Sequence, residues 1–354
     1  MVEWLAGNRI RGTSAEKPAL GLPSGSVGGW KEVGRTTLGS AGDTVSVGSL
    51  ADKRYLMVLG DIKPSGNVYT RTWLNGDSGT NYATRYSTNG SADSTIVSTN
   101  DTVTNQSTDA TPYFTLQYFA NLATKEKLWI NHSVEQETAG AGTAPNRSET
   151  VNKHAQTTNP ISTIQQTNES TGDLGIGSEI VVLGWDPADT HTSNFWEELA
   201  SVELGSAGDT LDSGTFTAKK YLWVQIYTKN SGTINHGIRY NSDTGSNYSF
   251  RRNQDGGSDI SDINQSNDPT ISMSSLGGFP LFANLFIINN ASNEKLTIAH
   301  TIMQNTAGAG NAPIRREGSC KWANTSSQIT NISVYNTDSG SYDTGSIIKV
   351  WGSD

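Results

Sequence analysis

The sequence carries one cysteine in 354 residues, Cys320, so no disulfide forms within the chain. A small buried thiol is the expected role for it. Charge is also scarce, at 17% of residues, and no basic cluster is longer than Arg251-Arg252 or Arg315-Arg316. With a net charge of −9 and no positive stripe to meet phosphates, nucleic acid is not an expected partner. No apolar run approaches the roughly 20 residues of a membrane span, so no membrane partner is expected. The opening MVEWLAGNRIRG holds no apolar stretch of signal length, and synthesis in a cytoplasm is expected. Helical periodicity is missing as well: no segment sustains it beyond about two turns.

What replaces these is glycine, serine, threonine and asparagine. Hydrophobic residues make up 34%, a low share for a globular chain. The composition predicts short strands joined by many turns, because Gly, Asn and Ser form turns and Thr suits a pleated surface. VYTRTWL and PYFTLQYFANL alternate. RYLMVLGDI and KYLWVQIYT are near-continuous apolar runs of buried-strand length. EIVVLGW and IIKVWG read as closing strands after a Gly-Ser turn. SGN, NGDSG, NGSAD, DGG and TDSGSYDTG punctuate the strands. FWEELASVEL is ambiguous alone, but its counterpart GWKEVGRTTL carries a glycine and two threonines, and both are read as first strands.

The chain repeats itself. Leu38 in TTLGSAGDT matches Leu204 in VELGSAGDT, an offset of 166 that Tyr55/Tyr221 and Tyr82/Tyr248 keep. From His132 in HSVEQETAGAGTAPNRSET to His300 in HTIMQNTAGAGNAPIRREG the offset is 168. A period this long is a duplicated domain, not a solenoid repeat. The predicted organisation is an arm at 1–29, a β-sandwich unit at 30–186, a linker at 187–194 around Pro187, and a second unit at 195–354. Each unit has roughly eight to ten strands, closer to a jelly roll than to a seven-stranded immunoglobulin sandwich. The fold class is therefore all-β, with two tandem antiparallel jelly-roll-like sandwiches from an internal duplication.

The TAGAG stretches connect two strands, and their small residues allow close backbone approach. They read either as plain connecting loops or as flat surfaces for another subunit. On the second reading Ala139, Gly140, Ala141, Gly142, Pro145, Ala307, Gly308, Ala309, Gly310 and Pro313 are candidate subunit contacts.

Nothing assembles into a catalytic or metal site. His132 and His300 share a strand face with Ile130 and Ile298 and are expected to be core residues. His154 faces Trp322 at its matching position. Asp77 and Asp243, in DSGTNY and DTGSNY turns, are weak calcium candidates because such turns usually bond their own backbone. No GxSxG, P-loop, HExxH or GxGxxG occurs, and no carboxylate pair stands out. No cofactor is implied. Trp73, Trp129, Trp223, Trp322 and Trp351 are expected in the core rather than on a sugar platform, since only Trp30 and Trp196 match between the copies.

SSQITNISVYNTDSGSYDTGSIIKVWG, with its first copy ISTIQQTNESTGDLGIGSEIVVLGW, resembles the C-terminal signature of jelly-roll domains in virion proteins of tailed bacteriophages. AGNRIRGTSAEKP, from Ala6 to Pro18, resembles the start of structural proteins of marine viruses and phages. The resemblance implies a non-enzymatic structural protein: a head decoration, a fibre or a capsid component, assembled in the host cytoplasm and localised to the virion. Its partners would be copies of itself and other virion proteins. The arm, with Trp4, Arg9 and Arg11, would anchor it to a neighbour or to the shell. The rival expectation is a carbohydrate-binding module that takes a host-surface glycan; an enzyme on a β-scaffold is the weakest.

Overall fold

The computed structural model describes residues 29–105, 110–186, 194–271, 278–304 and 307–354. Every regular element among them is a β-strand. The chain divides into two compact units. Unit 1 holds the described residues through Thr88 together with Ala92–Glu135 and Ser148–Glu197. Unit 2 holds Asn89–Ser91, Gln136–Arg147 and Glu198–Asp354. The boundaries expected from the sequence thus differ by three short pieces: Asn89–Ser91 and Gln136–Arg147, from the first repeat, group with unit 2, and residues 195–197, expected to open the second unit, group with unit 1. Of the expected linker, residues 187–193 fall outside the described residues.

In unit 1 the strands are β1 (Lys31–Thr37), β2 (Thr44–Val47), β3 (Tyr55–Ile62), β4 (Thr70–Leu74), β5 (Tyr82–Thr88), β6 (Ser94–Thr99), β7 (Thr102–Asn105), β8 (Tyr113–Ala120), β9 (Lys127–Glu135), β10 (Asn146–His154), β11 (Ile164–Asn168) and β12 (Glu179–Trp185). An eight-stranded sheet runs β1-β12-β3-β8-β9-β10-β5-β6, and a four-stranded sheet runs β2-β11-β4-β7. Every pairing is antiparallel, with Leu59 opposite Val181 on one side and Leu116 on the other. The core lies between the sheets, where Leu56, Val58, Ile180 and Val182 meet Val45, Val47, Leu74 and Ile164. At Gly34, next to a β-bulge in β1, a Cβ would run into Val47, so this close approach of the sheets needs glycine.

In unit 2 the strands are β13 (Glu197–Glu203), β14 (Thr210–Asp212), β15 (Tyr221–Thr228), β16 (Asn230–Ser231), β17 (His236–Tyr240), β18 (Tyr248–Gln254), β19 (Ile260–Gln265), β20 (Leu281–Ile288), β21 (Lys295–Met303), β22 (Ile314–Trp322), β23 (Ile332–Asn336), β24 (Ser341–Tyr342) and β25 (Ile347–Ser353). Its eight-stranded sheet runs β13-β25-β15-β20-β21-β22-β18-β19, opposed by a β14-β23-β17 sheet and a short β16-β24 pair. Leu222, Val224, Leu285 and Val350 meet Leu211, Ile238, Ile332 and Val334 between the layers. The ambiguous FWEELASVEL does contain a strand, β13, as GWKEVGRTTL contains β1.

The turn residues explain where strands stop. Asn75-Gly76 follows β4 with φ of 57° and 65°, and Asn89-Gly90 follows β5 with 52° and 68°. Paired left-handed residues give the turn twist that returns a chain antiparallel, and Asn-Gly tolerates it best. Asn241-Ser242 and Asp255-Gly256 keep left-handed angles at the matching places.

Candidate interaction surfaces

On the outer face of the large unit 1 sheet, the period of two sends alternate side chains away from the core. Trp129 points in and is 3% exposed, while its neighbours Leu128 and Ile130 are 54% and 48% exposed. Val151 on β10 and Val97 on β6 extend the same apolar surface at 50% and 70%. Together with Trp30 and the stacked rings of Tyr55 and Trp185, 5.1 Å apart, they line a groove of about 820 Å³. Ion pairs lie at the same sheet: Lys153–Glu126 at 3.4 Å and Arg85–Asp93 at 3.5 Å, all four side chains solvent-exposed. A contiguous apolar floor with a charged edge is uncommon on a sheet face that meets only water.

The second TAGAG loop joins β21 to β22 and is exposed throughout Ala307, Gly308, Ala309, Gly310 and Pro313. Beside it Tyr227, Phe282 and Ile302 are 37%, 40% and 47% exposed and line a second groove of about 430 Å³.

The first TAGAG loop joins β9 to β10 and has different surroundings. Ala139 and Gly142 are exposed, but Ala141 and Pro145 are buried and Gly140 is half-buried. As part of unit 2, this segment is held along its length. Lys321 Nζ donates to the carbonyls of Gln136 at 2.9 Å and Thr138 at 2.5 Å. Glu294 accepts from the Gly140 amide at 2.5 Å, and Arg251 donates to the Pro145 carbonyl at 3.0 Å. Arg147 grips Asp259 at two points, 3.0 Å through Nε and 2.7 Å through Nη2, with both side chains almost fully buried. Burial pushes the Glu294 carboxyl up against the pull of the Gly140 amide and Lys321, and it pushes Lys321 down against the pull of Glu294. The candidate contacts Ala139 to Pro145 and Ala307 to Pro313 are therefore not equivalent in this fold: the first set is engaged within the chain and the second is open. Trp4, Arg9 and Arg11 lie outside the described residues.

The titratable candidates sort into structural roles. Burial raises the Asp77 carboxyl, but hydrogen bonds from His154 (2.8 Å), the Gly79 amide (2.8 Å) and Asn81 (2.9 Å) outweigh it and leave the pKa lowered. Asp243 receives the Gly245 amide, Asn247 and, in place of a histidine, Trp322 Nε1 at 2.7 Å. Spacing had aligned His154 with Trp322 without showing that both serve the same turn. His132 and His300 do share a strand face with Ile130 and Ile298, but it is the outer face; both are half-buried, which corrects the expectation of core histidines. Trp129, Trp322 and Trp351 are buried as expected, whereas Trp73 and Trp223 are half-buried. Cys320 is fully buried beside Asp268, and burial first, then that carboxylate, pushes its thiol well up. Among the described residues no group of three or more His, Cys, Asp or Glu could hold a metal ion. No helix among them is long and apolar enough to cross a membrane.

No family model and no curated protein matches the chain. Among solved structures, it is similar to domains LG4-5 of the mouse laminin alpha1 chain at 12% identity, covering 92% of this chain and 91% of that one, with a TM-score of 0.17. It is similar to the attachment invasion locus protein Ail of Yersinia pestis at 6% identity, 81% and 99% coverage and a TM-score of 0.12. Neisserial surface protein A follows at 6% identity, 79% and 96% coverage and 0.14. Scores this low carry no functional argument.

The residues that sequence reasoning missed are Leu128, Ile130 and Val151. Their signal was present as alternation in KLWINH, but the more polar set, Lys127, Trp129 and Asn131, is the buried one while Leu128 and Ile130 face out, so polarity alone points to the wrong face. The charged positions had a clearer signal: Arg85/Arg251, Asp93/Asp259, Lys153/Lys321 and Glu126/Glu294 are identical in the two repeats.

Proposed function

We propose that the chain is a non-enzymatic structural protein of a virion surface, made of two duplicated jelly-roll-like sandwiches and acting through contacts with its own copies and with other virion proteins. The observation that carries the reading is the open apolar groove on the unit 1 sheet, edged by ion pairs. A contiguous apolar surface of this kind on a rigid sheet is an association surface. The duplication is supported by the recurring strand order of the large sheets and by left-handed residues at matching positions, such as Gly140 and Gly308 at φ of 87° and 86°. The virion setting rests on the resemblance of the closing strands and the opening segment. Within it a decoration or fibre role is preferred to a capsid role; assembly takes place in the host cytoplasm, and the arm is the anchor. Quantitative mass spectrometry of purified particles tests this. The chain is expected there in stoichiometric amount, with residues 1–29 needed for its incorporation. Its absence from purified particles would contradict the reading.

A second reading has one observation in its favour. Tyr55, Trp185 and Trp30 cluster at one end of the groove, with ring centroids 5.1 and 6.5 Å apart, an arrangement on which a sugar ring can stack. A glycan array probed with the full chain and with Trp185→Ala distinguishes it: glycan binding that the substitution abolishes would bring the carbohydrate reading forward.

A further inference from the structure

The two repeats carry the same interface parts, but the parts are used differently. In unit 2 the docked segment Gln136–Arg147 lies on a receiving surface made by Arg251, Asp259, Glu294 and Lys321. The first repeat holds Arg85, Asp93, Glu126 and Lys153 at the matching positions, so unit 1 carries the same receiving surface. Among the described residues no segment docks there. Asp93 is 54% exposed where Asp259 is 4%, and Lys153 is 47% exposed where Lys321 is buried. The apolar floor follows suit: Leu128 and Ile130 are 54% and 48% exposed, but their counterparts Leu296 and Ile298 are 1% and 3%. Even the backbone matches, since Ser98 and Asn264 both hold φ of 52°, and the Asn264 amide donates to the Ala141 carbonyl at 2.9 Å.

The docking segment is duplicated too. Gly308, Pro313 and Arg315 stand where Gly140, Pro145 and Arg147 stand in the first copy. Arg315 is 58% exposed, against 5% for Arg147. Among the described residues, unit 1 therefore displays an open receiving surface and unit 2 an open docking segment.

We infer that a second copy of this chain fills the unit 1 groove: the Ala307–Arg315 segment of one copy docks on the Asp93/Ile130 face of the next, with Arg315 gripping Asp93 as Arg147 grips Asp259. The inference deepens the proposed structural role and rests on the reading of the repeats as duplicates. The occupant is argued from the same chain's own example, in which a TAGAG segment already lies on the matching surface of unit 2. Surface pairs such as Arg85–Asp93 and Arg315–Glu317 at 3.2 Å contribute little and are readily exchanged for a buried two-point pair. Because the two surfaces differ, the contact is head to tail. It gives closed rings, a reciprocal two-fold pair among them, where the rotation closes and filaments where it does not.

The test uses the full chain and its variants Arg315→Asp, Asp93→Arg and the double swap, with sedimentation velocity over a concentration series. Circular dichroism checks folding, which the exposure of both positions should preserve. The wild type is expected to associate. Each single swap should weaken association at least tenfold, and the double swap should restore it to within about threefold. Association that ignores both swaps would overturn this interface and leave the structural role standing. A wild type that stays monomeric at every concentration would overturn both. Association without rescue by the double swap would overturn the Arg315–Asp93 pairing.

Discussion

Replacing Asp259 with alanine tests the contrast between Asp259 and Asp93 on which the proposed docking depends. Arg147 reaches Asp259 through two nitrogens at 3.0 and 2.7 Å, and the side chains are 5% and 4% exposed. Removing one partner of a buried pair costs about 3–5 kcal/mol, because the remaining charge stays in a poorly solvated place. At the matching position, Asp93 sits 3.5 Å from Arg85 with both side chains more than half exposed. Losing a surface pair like this costs about 0–1 kcal/mol. Urea unfolding followed by tryptophan fluorescence and circular dichroism should show Asp259→Ala destabilised by about 3–5 kcal/mol, with an unchanged slope. Asp93→Ala should shift the midpoint little. Equal effects of the two substitutions, or a cost below about 1 kcal/mol for Asp259→Ala, would refute the contrast in burial on which the docking argument depends.

Three other outcomes follow from the geometry. Gly90 has φ of 68°, and a Cβ there would overlap the Asp259 carboxylate; Gly256 has φ of 75° and only ordinary contact. Gly256→Ala should cost about 1–2 kcal/mol for the left-handed backbone alone, and thermal unfolding should show Gly90→Ala losing more. His236 is buried against Thr228, and burial, then the nearby Arg316, lowers its pKa to about 3. The unfolded chain takes up this proton below about 6.5 while the folded chain does not, so the stability tied to His236 is present above pH 6.5 and lost as pH falls towards 3. At pH 5 the loss is about 2 kcal/mol, and His236→Gln should remove that much of the pH dependence between 7 and 5 in paired urea titrations. Cys320, fully buried with a raised pKa, should resist a thiol reagent in the native chain and react at the rate of unfolding; fast native labelling would contradict its placement.

Much of the strand pattern could be read from the residues because local chemistry dictates it. Asn75-Gly76 and Asn89-Gly90 end strands by supplying left-handed turns, and runs such as RYLMVLGDI have no other stable use in a chain without helical period. The exposed apolar face was harder to read. Leu128 and Leu296 occupy identical EKL contexts, yet one is 54% exposed and the other 1%. A strand's alternation fixes which side chains share a face, but not what covers that face. The His154/Trp322 exchange was hidden for a related reason: an imidazole and an indole N–H serve the same Asp turn, and that equivalence appears only when Asp77 and Asp243 are seen to receive them. The TAGAG loops were visible as a repeated phrase, but their unlike surroundings were not, because the same letters can lie docked or open.

The proposed structural role requires the chain to associate with its own copies. Light scattering on the full-length chain after gel filtration, across a concentration series, tests it most directly. Masses at multiples of 37.9 kDa that rise with concentration or settle at a closed ring are expected. A mass of 37.9 kDa at every concentration would contradict it.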